Sequence, residues 1–199
     1  MAVRHSSIAG RLLVAAPVLT DPNFDRTVVL MLSHDLGGAL GLVLNRLDPE
    51  PPSAHLAAWV AQGSSPRSFY EGGPVQRDGL IGVMAVSASK AAIARDEGLL
   101  TPFVTLDAHV VGTLDLARKA DELDAWGLSA ADVRVFRGYS GWGPGQLDHE
   151  LSRPGWLVVD AEIADVFTRR PGDLWRRVLA RQRAPIAWLA QFPDDLSAN

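Results

Sequence analysis

Residues 27–45, TVVLMLSHDLGGALGLVLN, constrain this chain more than any other stretch. Residues 27–32 are β-branched and apolar, and residues 39–45 form a second apolar run. Only residues 33–38, SHDLGG, separate them, with His34-Asp35 and the pair Gly37-Gly38 among them. Two apolar runs joined by a short glycine-rich link predict a β-hairpin. Residues 10–16 add a third run suited to a buried strand, and Asp21-Pro22-Asn23 closes it with a turn. Several strands therefore come first, and a sheet is the organising element of the fold.

Further along, the spacing predicts a helix capped by Ser53 and running to Gln62, where Gly63 stops it. Extended segments follow at 69–71, 80–86, 104–106 and 110–114, with a forced turn at Gly72-Gly73-Pro74. Residues 87–100 are helix-prone yet end at Gly98, so their state is ambiguous. Residues 118–126 read as helix, 133–139 as a half-buried strand, 147–151 as helix and 156–159 as strand. Helices close the chain at 163–167 and 174–182. Strands cluster early and then mix with short helices, which argues for the α+β class and a mixed sheet, not a regular βαβ array. No repeat and no long linker divides the 199 residues.

The bulk numbers exclude several functions. With no cysteine, disulfides, thiol catalysis and thiolate zinc sites are ruled out. The longest apolar run, 12–19, is interrupted by Pro17 and is far short of the roughly 18 residues of a membrane span. A net charge of −4 does not favour the DNA backbone or an anionic membrane. Arg169, Arg170, Arg176, Arg177, Arg181 and Arg183 nonetheless crowd the C-terminal region, as a solvated helix face or as an anion patch. The five histidines offer no H-x-x-x-H pair, so no metal site is expected.

The most distinctive stretch is GYSGWGPGQLDHE, residues 138–150. It lacks the lysine and hydroxyl of a Walker phosphate loop, and its glycines are out of register for a dinucleotide fingerprint. Nor is it a nucleophile elbow: Trp142 stands where G-x-S-x-G requires glycine. A strand running through glycines into a helix start still leaves free N–H groups that suit an anion. The simpler reading is a tight strand-to-helix corner plugged by an indole. Gln146 and Glu150 share one face at i, i+4. On that reading Gly141 or Gly143 adopts a backbone conformation closed to other residues, and Trp142 is buried.

Three blocks resemble the YqgE/AlgH family of bacterial proteins. The first is residues 17–47, which follow P-x-L-x-D-P-x-F-x-R-[ST]-V, then a histidine after the strand, then G-A-x-G-x-x-x-N. The second is GGPV at 72–75, and the third is GYSGWGPGQLDHE itself. Leu47 departs from the proline usual after Asn-Arg, and residues 87–132 match poorly. The resemblance implies one α+β domain over residues 1–199. Its mixed, coiled, partly barrel-like sheet would be surrounded by helices, with residues 1–9 as a flexible tail. It also implies a cytoplasmic protein. Members are labelled transcriptional regulators by association with alginate production, and no catalytic set, metal or cofactor is carried over.

The recognition groups within the blocks are Arg26, His34, Asn45, Arg46, Gly72, Gly73, Tyr139, Gly141, Trp142 and Gln146. They make a candidate ligand site without an evident nucleophile–base pair. The first expectation is a non-enzymatic regulatory protein that binds a partner protein or a small anionic ligand. An enzyme acting on an anionic metabolite is the alternative, with Arg26 or Arg46 binding charge and His34 as acid–base group. Direct DNA binding through the C-terminal arginines is a third, opposed by net charge and by the lack of a helix-turn-helix pattern. If the hairpin forms, Arg26 and Arg46 fall at the same end of the sheet, where Asp21, Asp25 or a bound anion would have to meet them.

Overall fold

The computed structural model describes residues 7–50, 54–118, 120, 123, 127–128 and 133–193. The expected hairpin is present: β2 (Val28–Asp35) pairs antiparallel with β3 (Gly38–Val43), with Asp35 opposite Gly38. On its other edge β2 pairs with β1 (Leu12–Ala15), which pairs in turn with β9 (Trp156–Val159). Alternation sends Leu12, Val14, Leu30 and Leu42 to one face and Leu13, Val29, Met31 and Val43 to the other. Both faces are covered, so these strands read as continuous apolar runs and not as alternating ones.

A second group of strands extends the sheet: β4 (Tyr70–Glu71), β5 (Val75–Ser87), β6 (Leu100–Leu106) and β7 (His109–Leu114). The long strand β8 (Val133–Trp142) joins the two groups. Its residues 133–137 and Tyr139 pair with β5, and its residues 140–142 pair with β3. The nine strands run in the order β6-β7-β5-β8-β3-β2-β1-β9, with β4 beside β8. Pairing is antiparallel throughout this path, and the sheet does not close into a barrel. The mixed character predicted for it comes down to the short parallel pairing of β4 with β8. The predicted coiling survives as a curl that brings Val104 of β6 against Gly10.

Helices flank the sheet. The helix α1 (Ala54–Gln62) packs Leu56 and Trp59 against Val133 and Val135. Residues 87–100 resolve into α2 (Ala91–Asp96) and the start of β6. The strand β6 begins earlier than predicted because Pro102 is tolerated on an edge strand beside a register shift. The strand β5 also begins early: a bulge lies between Val75 and Leu80, where the polar run hides the strand. Next come α3 (Gln146–Leu151), α4 (Ile163–Val166) and α5 (Leu174–Ala180). The Trp175 indole in α5 donates to Ala15 O at 2.8 Å, tying this helix to β1. Most of the helix predicted at 118–126 lies outside the described residues, as does Ser53.

Residues 7–9, expected within a flexible tail, lie against the sheet. Ile8 is buried, Ser7 Oγ donates to His34 O at 2.8 Å, and Gly10 N–H donates to Met31 O at 2.7 Å. The apolar Ile8 joins the Trp142 cluster, and that burial is what docks the segment.

Candidate functional site

The glycines of the second and third blocks meet where β8 changes partners. Gly138 has φ +65°, and a Cβ there would stand 2.7 Å from Gly73 O. Gly72 N–H donates to Arg137 O at 2.8 Å, while Gly72 O accepts from Val43 N–H at 3.0 Å and from Ser140 Oγ at 3.2 Å. One residue, directly after β4, thus links β3 and β8. The strained glycines of the third block are Gly138 and Gly145, not Gly141 or Gly143. The reason is topological: the backbone turns where neighbouring strands are exchanged and where α3 begins, and Gly141 lies in ordinary strand between those points.

Beyond Gly141 the chain delivers Trp142 into the layer between the sheet and α3. The indole is 5% exposed, as the sequence reading required. Its N–H donates to Glu150 Oε2 at 3.0 Å, and the Trp156 N–H donates to the same oxygen at 3.0 Å. Gln146 completes the set: its Oε1 accepts from Gly143 N–H at 3.0 Å, and its Nε2 donates to Glu150 Oε1 at 3.1 Å. A carboxylate thereby aligns two indoles from different strands, the central β8 and the edge strand β9. Phe24 stacks on Trp142 with centroids 5.9 Å apart and meets Trp156 edge-on at 5.3 Å.

This aromatic group walls a cleft of about 350 Å³. Block one contributes Asp21 and Phe24, block two Pro74, and block three Gly141, Trp142 and Gln146. Glu150, Arg153 and Trp156 complete its polar and aromatic lining. A second, shallower cleft of about 520 Å³ lies across the Gly141–Trp142 backbone, between Tyr139, Val75 and the hairpin turn at Gly37-Gly38.

The remaining predicted site residues hold the fold. Asn45 clamps the hairpin, accepting from Val28 N–H and donating to Arg26 O, each at 2.9 Å. Arg46 donates to the main-chain oxygens of Asn23, Pro22 and Asp25 at 2.9–3.2 Å. Arg26 stacks over Trp175, 4.9 Å from the ring centroid, and donates to the carbonyls of Phe192 and Pro193. Among the described residues, the two arginines donate to peptide oxygens on different segments. His34 is buried elsewhere: its Nδ1 accepts from Ile8 N–H at 3.3 Å, and its Nε2 lies 3.6 Å from Asp148. Arg26, Arg46 and His34 are therefore not brought into one site. Among the described residues no group of His, Asp and Glu is arranged to hold a metal ion.

The C-terminal arginines divide: Arg169, Arg170, Arg177 and Arg183 are exposed, whereas Arg176 and Arg181 are tied back onto the protein. Arg181 grips the buried Asp165 carboxylate with two bonds of 2.6 Å. Burial pulls its pKa down, but hydrogen bonding and attraction to Asp165, with Glu162 and Asp160 nearby, more than offset this and leave it raised. Arg176 donates to Ala190 O and Phe192 O, Arg177 donates to Thr168 Oγ1, and Arg170 pairs with Asp173. A separate buried arginine, Arg134, lies over Tyr70 at 4.5 Å, and burial lowers its pKa to about 10.

The AlgH-like family model matches residues 12–187. The chain belongs to the AlgH-like family. A UPF0301 protein of Streptomyces avermitilis is 44% identical over 195 residues, covering 98% of this chain and 96% of the relative. One from Mycobacterium tuberculosis is 36% identical over 193 residues, covering 96% and 90%. Among solved structures, protein DIP2367 from Corynebacterium diphtheriae matches with a TM-score of 0.80 at 28% identity, covering 96% of this chain and 95% of that one. The solution structure of the AlgH protein from Pseudomonas aeruginosa matches at 0.60 and 25% identity, covering 98% and 99%. Among the cleft residues that sequence reasoning left out of the site are Phe24, Glu150, Arg153 and Trp156. Glu150 carried a signal in its i, i+4 spacing from Gln146. Trp156 carried none, because only the pairing of β9 with β1 brings it beside Trp142.

Proposed function

We propose that this AlgH-like protein is a non-enzymatic binding protein of regulatory type, and that the aromatic cleft beside Trp142 is where it holds its ligand or a side chain of its partner. One observation carries the reading: three blocks far apart in sequence contribute to the lining of one cleft. A volume of about 350 Å³ falls in the lower range of small-molecule sites, which combine apolar walls with a few placed polar groups. The chemistry of the third block supports binding over catalysis. The Ser140 hydroxyl is fully buried and committed to Gly72 O, and the cleft's glutamate and glutamine hold a rigid frame. A cytoplasmic location, implied by the family resemblance, belongs to the same proposal and is tested by cell fractionation.

The direct test is a fragment screen followed by amide and indole chemical shifts. Fragments that bind should move the Trp142 and Trp156 indole N–H resonances first, and Gln146→Ala should weaken them. Binding that moves only resonances remote from the cleft would refute the assignment.

A further inference from the structure

The cleft's charges have a feature that the fold itself does not require. Glu150 and Arg153 are three residues apart, opposite in sign, and line the same cavity. That spacing would let them pair. They do not: Glu150 turns to the two indoles and Gln146, and Arg153 places its guanidinium 3.2 Å from His149 Nε2. Asp21, at the same cleft, uses Oδ1 to accept from Asn23 N–H at 2.8 Å. Among the described residues, neither Asp21 nor Glu150 has a cationic partner. The cleft therefore presents negative charge and positive charge separately, beside an apolar wall of Phe24, Trp142 and Trp156.

From this we infer that the cleft recognises a small zwitterion with an apolar body, of the α-amino-acid class. The inference rests on the binding role proposed above. An ammonium group meets Glu150 and Asp21, where the half-buried Glu150 carboxylate still has lone pairs beyond its three donors. A carboxylate meets Arg153, whose planar fork suits it. An apolar side chain packs on the half-buried Phe24 ring and on the narrow accessible edges of the two indoles. An anion alone would face two carboxylates, and a simple cation would leave Arg153 facing it with like charge.

The experiment is calorimetric titration with three probes that share one phenylethyl body, L-phenylalanine, phenethylamine and 3-phenylpropionate, read beside the indole N–H resonances of Trp142 and Trp156. Phenylalanine should bind most tightly and shift both resonances. Glu150→Gln, which keeps an acceptor for the indoles, should weaken phenylalanine and phenethylamine roughly tenfold or more, the loss of a charge-assisted bond. Arg153→Met alters an exposed residue; it should weaken phenylalanine by up to about fivefold and leave phenethylamine unchanged within error. Phenylpropionate binding as tightly as phenylalanine, with no response to Glu150→Gln, would overturn the zwitterion. So would silence from all three probes when a broad fragment set still moves the two indoles, a result that leaves the binding role standing. Silence from the fragment set too would overturn both.

Discussion

Replacing Gly73 with alanine tests whether the junction of the second and third blocks is a backbone-on-backbone contact. A Cβ at Gly73 would lie 2.4 Å from the carbonyl carbon of Tyr139 and 2.5 Å from Ser140 N. Ordinary contact begins near 3.4 Å, so the 72–74 turn and β8 would have to part by about 1 Å. Overpacking of that kind costs about 1–3 kcal/mol. The φ of +150° adds about 1–3 kcal/mol for a residue with a side chain. Parting also stretches the bonds that Gly72 makes to Arg137 and Val43. A loss of about 3–5 kcal/mol follows, a large share of the roughly 5–15 kcal/mol that stabilises a domain. In urea, with a slope near 2 kcal/mol per molar, the midpoint should fall by about 1.5–2.5 M. Gly141→Ala is the control. Its new methyl meets the edge of the Tyr139 ring at 3.0 Å and Val75 at an ordinary 3.8 Å, with φ outside the left-handed region. That ring can pivot, so the cost should stay within about 1 kcal/mol. Denaturation followed by tryptophan fluorescence compares the two. A Gly73→Ala protein with the parent's midpoint, or a Gly141→Ala protein equally damaged, would refute the reasoning.

Trp142→Ala should cost about 3–5 kcal/mol, since the ring is core; an unchanged urea midpoint would show that it is not. Glu150→Ala leaves two indole N–H groups without their acceptor and should cost about 2–4 kcal/mol, whereas Glu150→Gln should cost less than half of that, as thermal melts would register. Asn45→Ala removes both bonds of the hairpin clamp and should lower stability by about 1–2 kcal/mol, with earlier hydrogen exchange at Val28. In a mobility-shift titration at near-physiological salt, DNA binding should be weak and indifferent to sequence. A specific complex at nanomolar protein would overturn that expectation.

The 27–45 run determined the hairpin by itself, because both of its strands are buried on two faces and nothing but a glycine turn separates them. The blocks named the family for a related reason: residues such as Gly72, Gly138 and Asn45 answer to local backbone demands that few other side chains meet. The ends of β5 and β6 were not legible, since a bulge and an edge proline are tolerated only by virtue of neighbouring strands. For the site, the sequence singled out Trp142 and Gln146 but grouped them with Arg26, Arg46 and His34. All five carry polar or aromatic atoms suited to recognition, and nothing local distinguishes the side chains that the fold gathers around one cleft from those it disperses. That distinction was left to tertiary structure. The β1–β9 pairing carries Trp156 across the sheet, α3 aims Glu150 at both indoles, and the loop from 19 to 24 closes over them. A cleft made of three distant segments exists only once strand order is set, and strand order is a property of long-range pairing that no window of the sequence contains.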